Sequence, residues 1–140
     1  MSPLPSPYEK LAGCMWLPRI VAKARRLQSG ELPPEYADRF CHPTGVDSQF
    51  LRFFELTQAA IVTASRLPDA EVAKWFLGFP NATPGLIDDW NYTAENLGRP
   101  GFPLSDRLPI ALSTTYKHLD PASITSVFEA IEADERTPSS

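Results

Sequence analysis

The stretch Leu17–Gly30, LPRIVAKARRLQSG, decides the fold class because it is the most clearly marked helix in the chain. Pro18 suits the first helical position, where a missing N–H costs nothing, and Gly30 suits the left-handed residue that follows a helix. At about 100° per residue, the apolar side chains fall on one stripe and its shoulder. The stripe is Ile20, Ala24 and Leu27, and the shoulder is Leu17 and Val21. The pattern predicts a helix that packs one face on a core.

A second stripe of this helix is positively charged. Arg19, Lys23 and Arg26 are spaced i, i+4 and i+7, which places these cations on one side of the helix. Arg25 points away from them. Such a patch can hold an anion, or its long side chains can lay their stems on the core and keep their charges in water. Arg19 fits the second interpretation least, because positive charge in a first turn is unfavourable unless an anion or a carboxylate answers it.

Length and composition favour one domain in a reducing compartment. A chain of 140 residues with 43% hydrophobic residues can bury a core without metal or disulfide support. Cys14 and Cys41 are too few for a disulfide framework, so buried thiols and a cytoplasmic location are expected. With 13 basic and 17 acidic residues, the overall field repels nucleic acid. No apolar run approaches the ~20 residues of a membrane span, and the first ten residues lack a signal-peptide pattern.

Outward from this helix, turn and cap residues divide the rest of the chain. An extended Pro-rich arm (residues 1–7) and an apolar lead-in (8–16) precede the helix, and a short turn follows it from Pro34. Helices are then predicted over 47–56, 58–67, 69–78, 83–97 and 105–119, and from residue 121 onward. Thr57 and Asp120 are the predicted caps of the second and the last of these, Gly98 closes the helix 83–97, and Pro109 kinks the helix 105–119. A polar tail is expected at 134–140. No alternation of period two is long enough for a sheet. We therefore expect an all-α fold, a single compact domain of about six helices with Pro-rich connections.

Asp47 has two interpretations. It precedes the aromatic run that begins at Phe50, which is typical of an N-cap. Alternatively, it is a functional carboxylate that faces the basic stripe. In that case it would serve as the base of an enzyme, with Arg19 or Lys23 stabilising an anionic substrate.

Other reactive residue types do not form a recognisable site. Cys41 and His42 are adjacent, but His118 is the only other histidine and no second pair stands at ligand spacing, so neither a metal nor a cofactor is predicted. Asp88 and Asp89 diverge by about 100° on a helix and cannot converge on one substrate atom. They are expected to be solvated.

An ordered set of residues resembles a known family. The set is SPY at 6–8, Leu11, Gly13, LPR at 17–19, Lys23, Arg25, Gly30, Leu32-Pro33, Tyr36, Asp47, Leu51, Phe53, Phe54, Asp69, Glu71, Val72, Trp75 and Trp90-Asn91. On these residues the chain resembles the bacterial domain-of-unknown-function family 5069. The Pro-rich stretch 100–109 departs from the family pattern. The resemblance implies a bacterial, cytoplasmic protein, and it implies no activity, cofactor or catalytic residue.

Functions of three kinds fit these observations. The first is a non-catalytic domain that binds a small anionic ligand or a partner protein through the basic stripe, with Tyr36, Trp75 and Asn91 supplying shape and hydrogen bonds. The second is an enzyme acting on a phosphate- or carboxylate-bearing small molecule. The third is a structural or oligomerisation module that uses the aromatic residues Phe79, Tyr92 and Phe102. The first is preferred, because no Ser/His/Asp order, Gly-rich loop or metal cluster supports an enzyme. The oligomeric state is left open.

Overall fold

The computed structural model describes residues 4–136, and these form two compact units, one ending at Trp90 and one beginning at Asn91. The described residues contain eight α-helices, one 3-10 helix and a two-stranded sheet. The helices are α1 (Leu17–Ser29), α2 (Pro34–Ala37), α3 (Val46–Phe54), α4 (Gln58–Ala64), α5 (Asp69–Leu77), α6 (Pro84–Glu95), α7 (Arg107–Ser113) and α8 (Val127–Arg136). The helical class is confirmed, but the expected number of about six is too low. That the chain is one domain stays a prediction.

The small sheet was not predicted. Strands β1 (Lys10–Leu11) and β2 (Cys14–Met15) pair antiparallel, with Lys10 opposite Met15. Ala12 and Gly13 form the turn between them, both at positive φ (55° and 77°). Strands of two residues each are too short to show an alternating pattern, which is why the sequence did not reveal them.

Helix α1 lies where its sequence signals place it. Gly30 is left-handed with φ 76° and donates its N–H to the carbonyls of Arg26 and Leu27, as a glycine after a helix does. Four of the five residues predicted on the apolar stripe and its shoulder are almost fully buried, whereas the fifth, Leu27, is 39% exposed. Arg25 points away from the other cations, as predicted, and its Nη1 lies 2.9 Å from Asp69 Oδ1.

Aromatic side chains fill the core of the first unit. Phe50 and Phe54 of α3, Phe76 of α5 and Trp90 of α6 are each no more than 1% exposed. Their ring centroids lie 4.9–6.1 Å apart, mostly in tilted or edge-to-face pairs. Such geometry is favoured by the ring quadrupoles. The aromatic run that begins at Phe50 therefore contributes two rings to this core.

Cap predictions had mixed outcomes. The Thr57 hydroxyl accepts the N–H of Ala60 at 3.1 Å, as predicted. The N-cap assigned to Asp47 is wrong, because α3 begins at Val46 after an extended Gly45, and Asp47 lies inside the first turn. Its side chain is used elsewhere.

The second unit differs from its prediction mainly at helix boundaries. Asp120 accepts the N–H of Ala122 at 3.0 Å, but it caps only the 3-10 helix Pro121–Ser123, and α8 begins later, at Val127. Asp134–Arg136 belong to α8 rather than to a tail, and residues 137–140 lie outside the described residues. Helix α7 is shorter than predicted, with Pro109 in its first turn, where a helix N–H has no partner to lose.

Helix α6 ends at Glu95, so the predicted end of this helix, at residue 97 with Gly98 closing it, lies too far along the chain. Gly98 lies in the turn that follows. Its φ is 92°, and its N–H donates to the Pro103 carbonyl at 2.9 Å. A buried apolar cluster in the second unit contains Leu108, Ile124 and Ala130. Within the described residues, no helix combines the length and apolar character required to cross a membrane.

Candidate functional site

The carboxylate of Asp47 is the centre of a buried polar cluster. The indole N–H of Trp16 donates to Oδ1 at 2.7 Å, and the backbone N–H of Cys41 donates to Oδ2 at 2.9 Å. The Lys23 ammonium donates to both carboxylate oxygens at 3.1 Å. Asp47 is 1% exposed and Lys23 is 5% exposed. Charges buried to this degree require a partner, and here each is the partner of the other.

Trp16 also forms the surface on which two cations rest. The Arg19 guanidinium carbon lies 5.4 Å from the centre of a Trp16 ring, and Lys23 Nζ lies 4.9 Å from one. Both distances are within the range of cation–π attraction. Arg19 is only 3% exposed, and its Nη1 donates to the backbone carbonyl of Pro5 at 3.0 Å. We call Trp16, Arg19, Lys23 and Asp47 the Asp47 cluster.

Both neutral donors to Asp47 have strained backbones. Trp16 has φ 75° and Cys41 has φ 56°, in the left-handed region that favours glycine. Such a conformation costs a non-glycine residue about 1–2 kcal/mol. It places the indole N–H and the Cys41 N–H on the two oxygens of one carboxylate. The hydrogen bonds to Asp47 therefore help to hold two unfavourable turns in place.

The electrostatics of the cluster follow from its burial. Removal from water lowers the pKa of Lys23, Asp47 raises it, and the positive charge of Arg19 lowers it further, with a net lowering. Burial, together with the negative charge of Asp47, raises the pKa of Cys41 to about 12. Burial also raises the pKa of Cys14. Both thiols therefore remain protonated at neutral pH and are poor nucleophiles.

The structure brings together three of the seven residues proposed from the sequence. Arg19, Lys23 and Asp47 share the Asp47 cluster, and Asp47 faces the basic stripe as its second interpretation required. Arg26 lies further along α1 and is half-buried. The other three are a half-buried Tyr36 on α2, a half-buried Trp75 on α5 and a buried Asn91 in the second unit.

Three participants were missed from the sequence: the Trp16 indole, the Pro5 carbonyl and the Cys41 N–H. In the sequence, Trp16 is only the last residue of the apolar lead-in (8–16). The polar role of Trp16 could have been predicted from its residue type, because a buried indole N–H needs a hydrogen-bond acceptor and few side-chain acceptors are buried in a protein core. The two backbone groups carry no signal in the residue identities.

The surroundings of the cluster show no metal-binding arrangement. Across residues 4–136, no group of three or more His, Cys, Asp or Glu side chains is placed to hold a metal ion. A surface cavity of about 380 Å³ is lined by Pro43, Ser48, Leu51 and Arg52, none of which belongs to the Asp47 cluster. Ser48 is committed to its own turn, since its hydroxyl donates to the His42 carbonyl at 2.7 Å.

Comparison with known proteins identifies the family. The family model of the domain of unknown function DUF5069 matches residues 1–137. The chain belongs to the DUF5069 family. No curated protein and no solved structure matches it. Membership of DUF5069 confirms the resemblance noted in the sequence and assigns no chemistry to the Asp47 cluster, whose role has to be argued from its geometry.

Proposed function

We propose that the chain is a non-catalytic helical domain of the bacterial cytoplasm that binds a small anionic ligand on the basic side of α1. The observation that supports this proposal is the pairing of two buried cations, Arg19 and Lys23, one helical turn apart on the same indole ring. The charge of Arg19 is felt at Lys23, where it lowers the lysine pKa. Positive potential of this kind is stronger in a partly dehydrated site than in water and attracts anions.

Arg19 is the residue that recognises the ligand in this proposal. Lys23 directs hydrogen bonds to both oxygens of Asp47, whose negative charge offsets its own, so Arg19 carries the excess positive charge of the cluster. A guanidinium presents a planar fork that matches a carboxylate or a phosphate group. The expected ligand is therefore a small phosphate or carboxylate compound. A carboxylate carried by a partner protein would use the same chemistry.

An enzyme is the second candidate, because a buried lysine with a lowered pKa is typical of sites where lysine acts as a base or a nucleophile. The hydrogen bonds of Asp47 favour the non-catalytic function instead. Three different groups donate to that carboxylate and occupy the positions where a substrate proton would arrive.

The cytoplasmic part of the proposal is supported by the cysteines. Cys14 and Cys41 are free thiols in the structure. Free thiols persist where the surroundings are reducing, as in the cytoplasm.

Calorimetric titration with inorganic phosphate and with citrate tests the proposal. We expect the wild-type protein to bind at least one of them and Arg19→Gln to bind it about tenfold or more weakly, since a charged hydrogen bond is worth roughly 1.5–3 kcal/mol. Arg19→Lys should recover only part of the affinity, because it restores charge without the fork. Lys74→Gln is the matched control: it removes a cation whose side chain is 77% exposed on α5.

Two results would contradict the proposal. One is the absence of any anion binding by a wild-type protein that is folded. The other is equal affinity in the wild type, Arg19→Gln and Lys74→Gln, which would assign binding to the general charge of the surface. Lys23 is left intact in this experiment, because its removal would leave Asp47 as a buried charge without its ammonium partner.

A further inference from the structure

The segment before β1 runs across Arg19. The Pro5 carbonyl of this segment accepts a hydrogen bond from Arg19 Nη1 at 3.0 Å. Pro5 and Arg19 are 14 positions apart in the sequence, so this contact depends on the tertiary fold. Leu4 is 8% exposed and Pro7 is also buried, so apolar side chains fix the segment on either side of that contact. The hydrogen bond to Arg19 and the buried side chains of Leu4 and Pro7 all hold the segment on the protein.

The carbonyl of Pro5 is a replaceable partner for a guanidinium. The Arg19–Pro5 hydrogen bond already has an ionised donor, but it uses one N–H and a neutral acceptor. An arginine can pair with a carboxylate or phosphate, whose acceptor oxygens are charged, through two donors at once. A backbone carbonyl offers one neutral oxygen. An anion that reaches Arg19 therefore has the stronger interaction, and its cost is the release of the segment.

The segment has a defined boundary at its carboxyl end. The Ser6 carbonyl accepts the N–H of Glu9 at 3.0 Å, and the Ser6 hydroxyl accepts the N–H of Tyr8 at 3.2 Å. This turn attaches the segment to β1, which starts at Lys10. Proline at positions 5 and 7 supplies no backbone N–H, so these residues give up no backbone donor of their own when the segment leaves.

We propose that Leu4–Pro7 is a strap that closes the anion site, and that a small phosphate or carboxylate displaces the Pro5 carbonyl from Arg19. This inference rests on the proposed function, because it concerns access to the same site. The strap makes binding a competition. The apparent affinity is the intrinsic affinity multiplied by the fraction of molecules in which the strap is open.

The competition is tested by loosening the strap without touching Arg19. Leu4→Ser removes an apolar contact of the strap, and inorganic phosphate is the probe in calorimetric titrations. Phosphate should bind Leu4→Ser about threefold or more tightly than the wild type, as expected when the open fraction rises. Leu77→Ser is the matched control, since Leu77 is 51% exposed on α5 and its loss should leave the affinity unchanged.

A second measurement uses the wild-type chain and so does not depend on the folding of a variant. Chymotrypsin cleavage after Tyr8, followed by mass spectrometry of the fragment that begins at Glu9, reports release of the strap, because a protease must bind the residues on both sides of the cleaved bond and Leu4–Pro7 lie immediately before it. Phosphate should accelerate this cleavage in the wild type and should have no effect in Arg19→Gln.

The outcomes separate the strap from the proposed function. Tighter binding by Leu4→Ser together with faster cleavage supports the strap. Equal affinity of Leu4→Ser and the wild type, with cleavage indifferent to phosphate, overturns the strap but leaves anion binding at Arg19 in place. If neither protein binds phosphate or citrate, both proposals fail.

Discussion

Two ion pairs, one in each unit, have the same length and different surroundings. Lys23 Nζ lies 3.1 Å from Asp47 Oδ2, and Arg99 Nη2 lies 3.1 Å from Glu129 Oε2. The side chains of the first pair are 7% and 1% exposed, whereas those of the second are 40% and 33% exposed. Equal geometry does not imply equal energy. Water and salt screen the charges of Arg99 and Glu129. Lys23 and Asp47 are removed from water, so their charges depend on the hydrogen bonds and the ion pair that the fold provides.

The partners of the two carboxylates show the same contrast. Asp47 accepts from residues 31 and 24 positions earlier in the chain, Trp16 and Lys23. Glu129 accepts the N–H and the hydroxyl of Thr125 in the preceding turn, in addition to its contact with Arg99. Asp47 therefore joins distant parts of the first unit, while Glu129 mainly stabilises the start of its own helix.

The largest effect is expected from removal of Asp47. Asp47→Ala leaves Lys23 buried without its carboxylate and deprives two N–H groups of their acceptor, so the free energy of unfolding should fall by about 3–5 kcal/mol. Glu129→Ala should cost under about 1 kcal/mol plus a small capping term. Urea denaturation followed by circular dichroism measures both.

A double variant tests the reason for the loss at Asp47. Lys23→Met with Asp47→Leu removes both charges and should be more stable than Asp47→Ala, but below the wild type, because the Trp16 and Cys41 N–H groups still lack an acceptor. Equal losses for Asp47→Ala and Glu129→Ala would show that burial does not distinguish the two pairs.

The sequence predicted well what depends on neighbouring residues. The ends of α1 and the cap at Thr57 follow from local backbone preferences, and the burial of Phe50 follows from helical periodicity. That an anion answers the first-turn charge of Arg19 stays a prediction. In the structure its guanidinium contacts the Pro5 carbonyl and the Trp16 ring. Local rules therefore identified the helix, and Arg19, Lys23 and Asp47 of the Asp47 cluster were all among the residues named from the sequence.

The failures share a physical cause. Asp47 satisfies the local criteria of an N-cap, yet a buried indole and a buried ammonium compete for its oxygens, and their positions depend on tertiary packing. Asp120 caps a turn as predicted, but α8 begins at Val127, where the Ser126 hydroxyl accepts the Glu129 N–H at 3.2 Å. Competition between two good local signals is decided by contacts that the sequence pattern does not contain.

An intermediate loss of stability is expected from substitution of Gly98. It would show that the apolar part of the second unit is closely packed, although the Arg99–Glu129 ion pair of that unit is exposed. A Cβ at Gly98 would lie 3.0 Å from side-chain atoms of Leu108 and Val127, at a backbone φ of 92°. Gly98→Ala should cost about 2–4 kcal/mol from overpacking and strain together.

Gly101 is the matched control for this substitution. Its φ is 87°, but nothing lies within 4 Å of an added Cβ, so Gly101→Ala should cost only the strain of about 1–2 kcal/mol. Equal losses of urea stability for the two variants would mean that the Leu108 and Val127 side chains move aside at Gly98 without penalty.

The smallest effect is the pH dependence contributed by Glu129. Burial alone raises the pKa of Glu129, but the hydrogen bonds from Thr125 and the charge of Arg99 outweigh it, and the net pKa lies below the usual 4.5. A carboxylate with a lowered pKa stabilises the fold above its unfolded pKa, and this contribution is lost as the pH falls through the folded value. Glu129→Gln keeps an acceptor for Thr125 and removes the charge. The wild type should exceed Glu129→Gln by under about 1 kcal/mol at pH 7, and the gap should close under acid conditions below pH 4.5 and shrink in high salt. A gap that persists in acid would assign the stabilisation to packing rather than to charge.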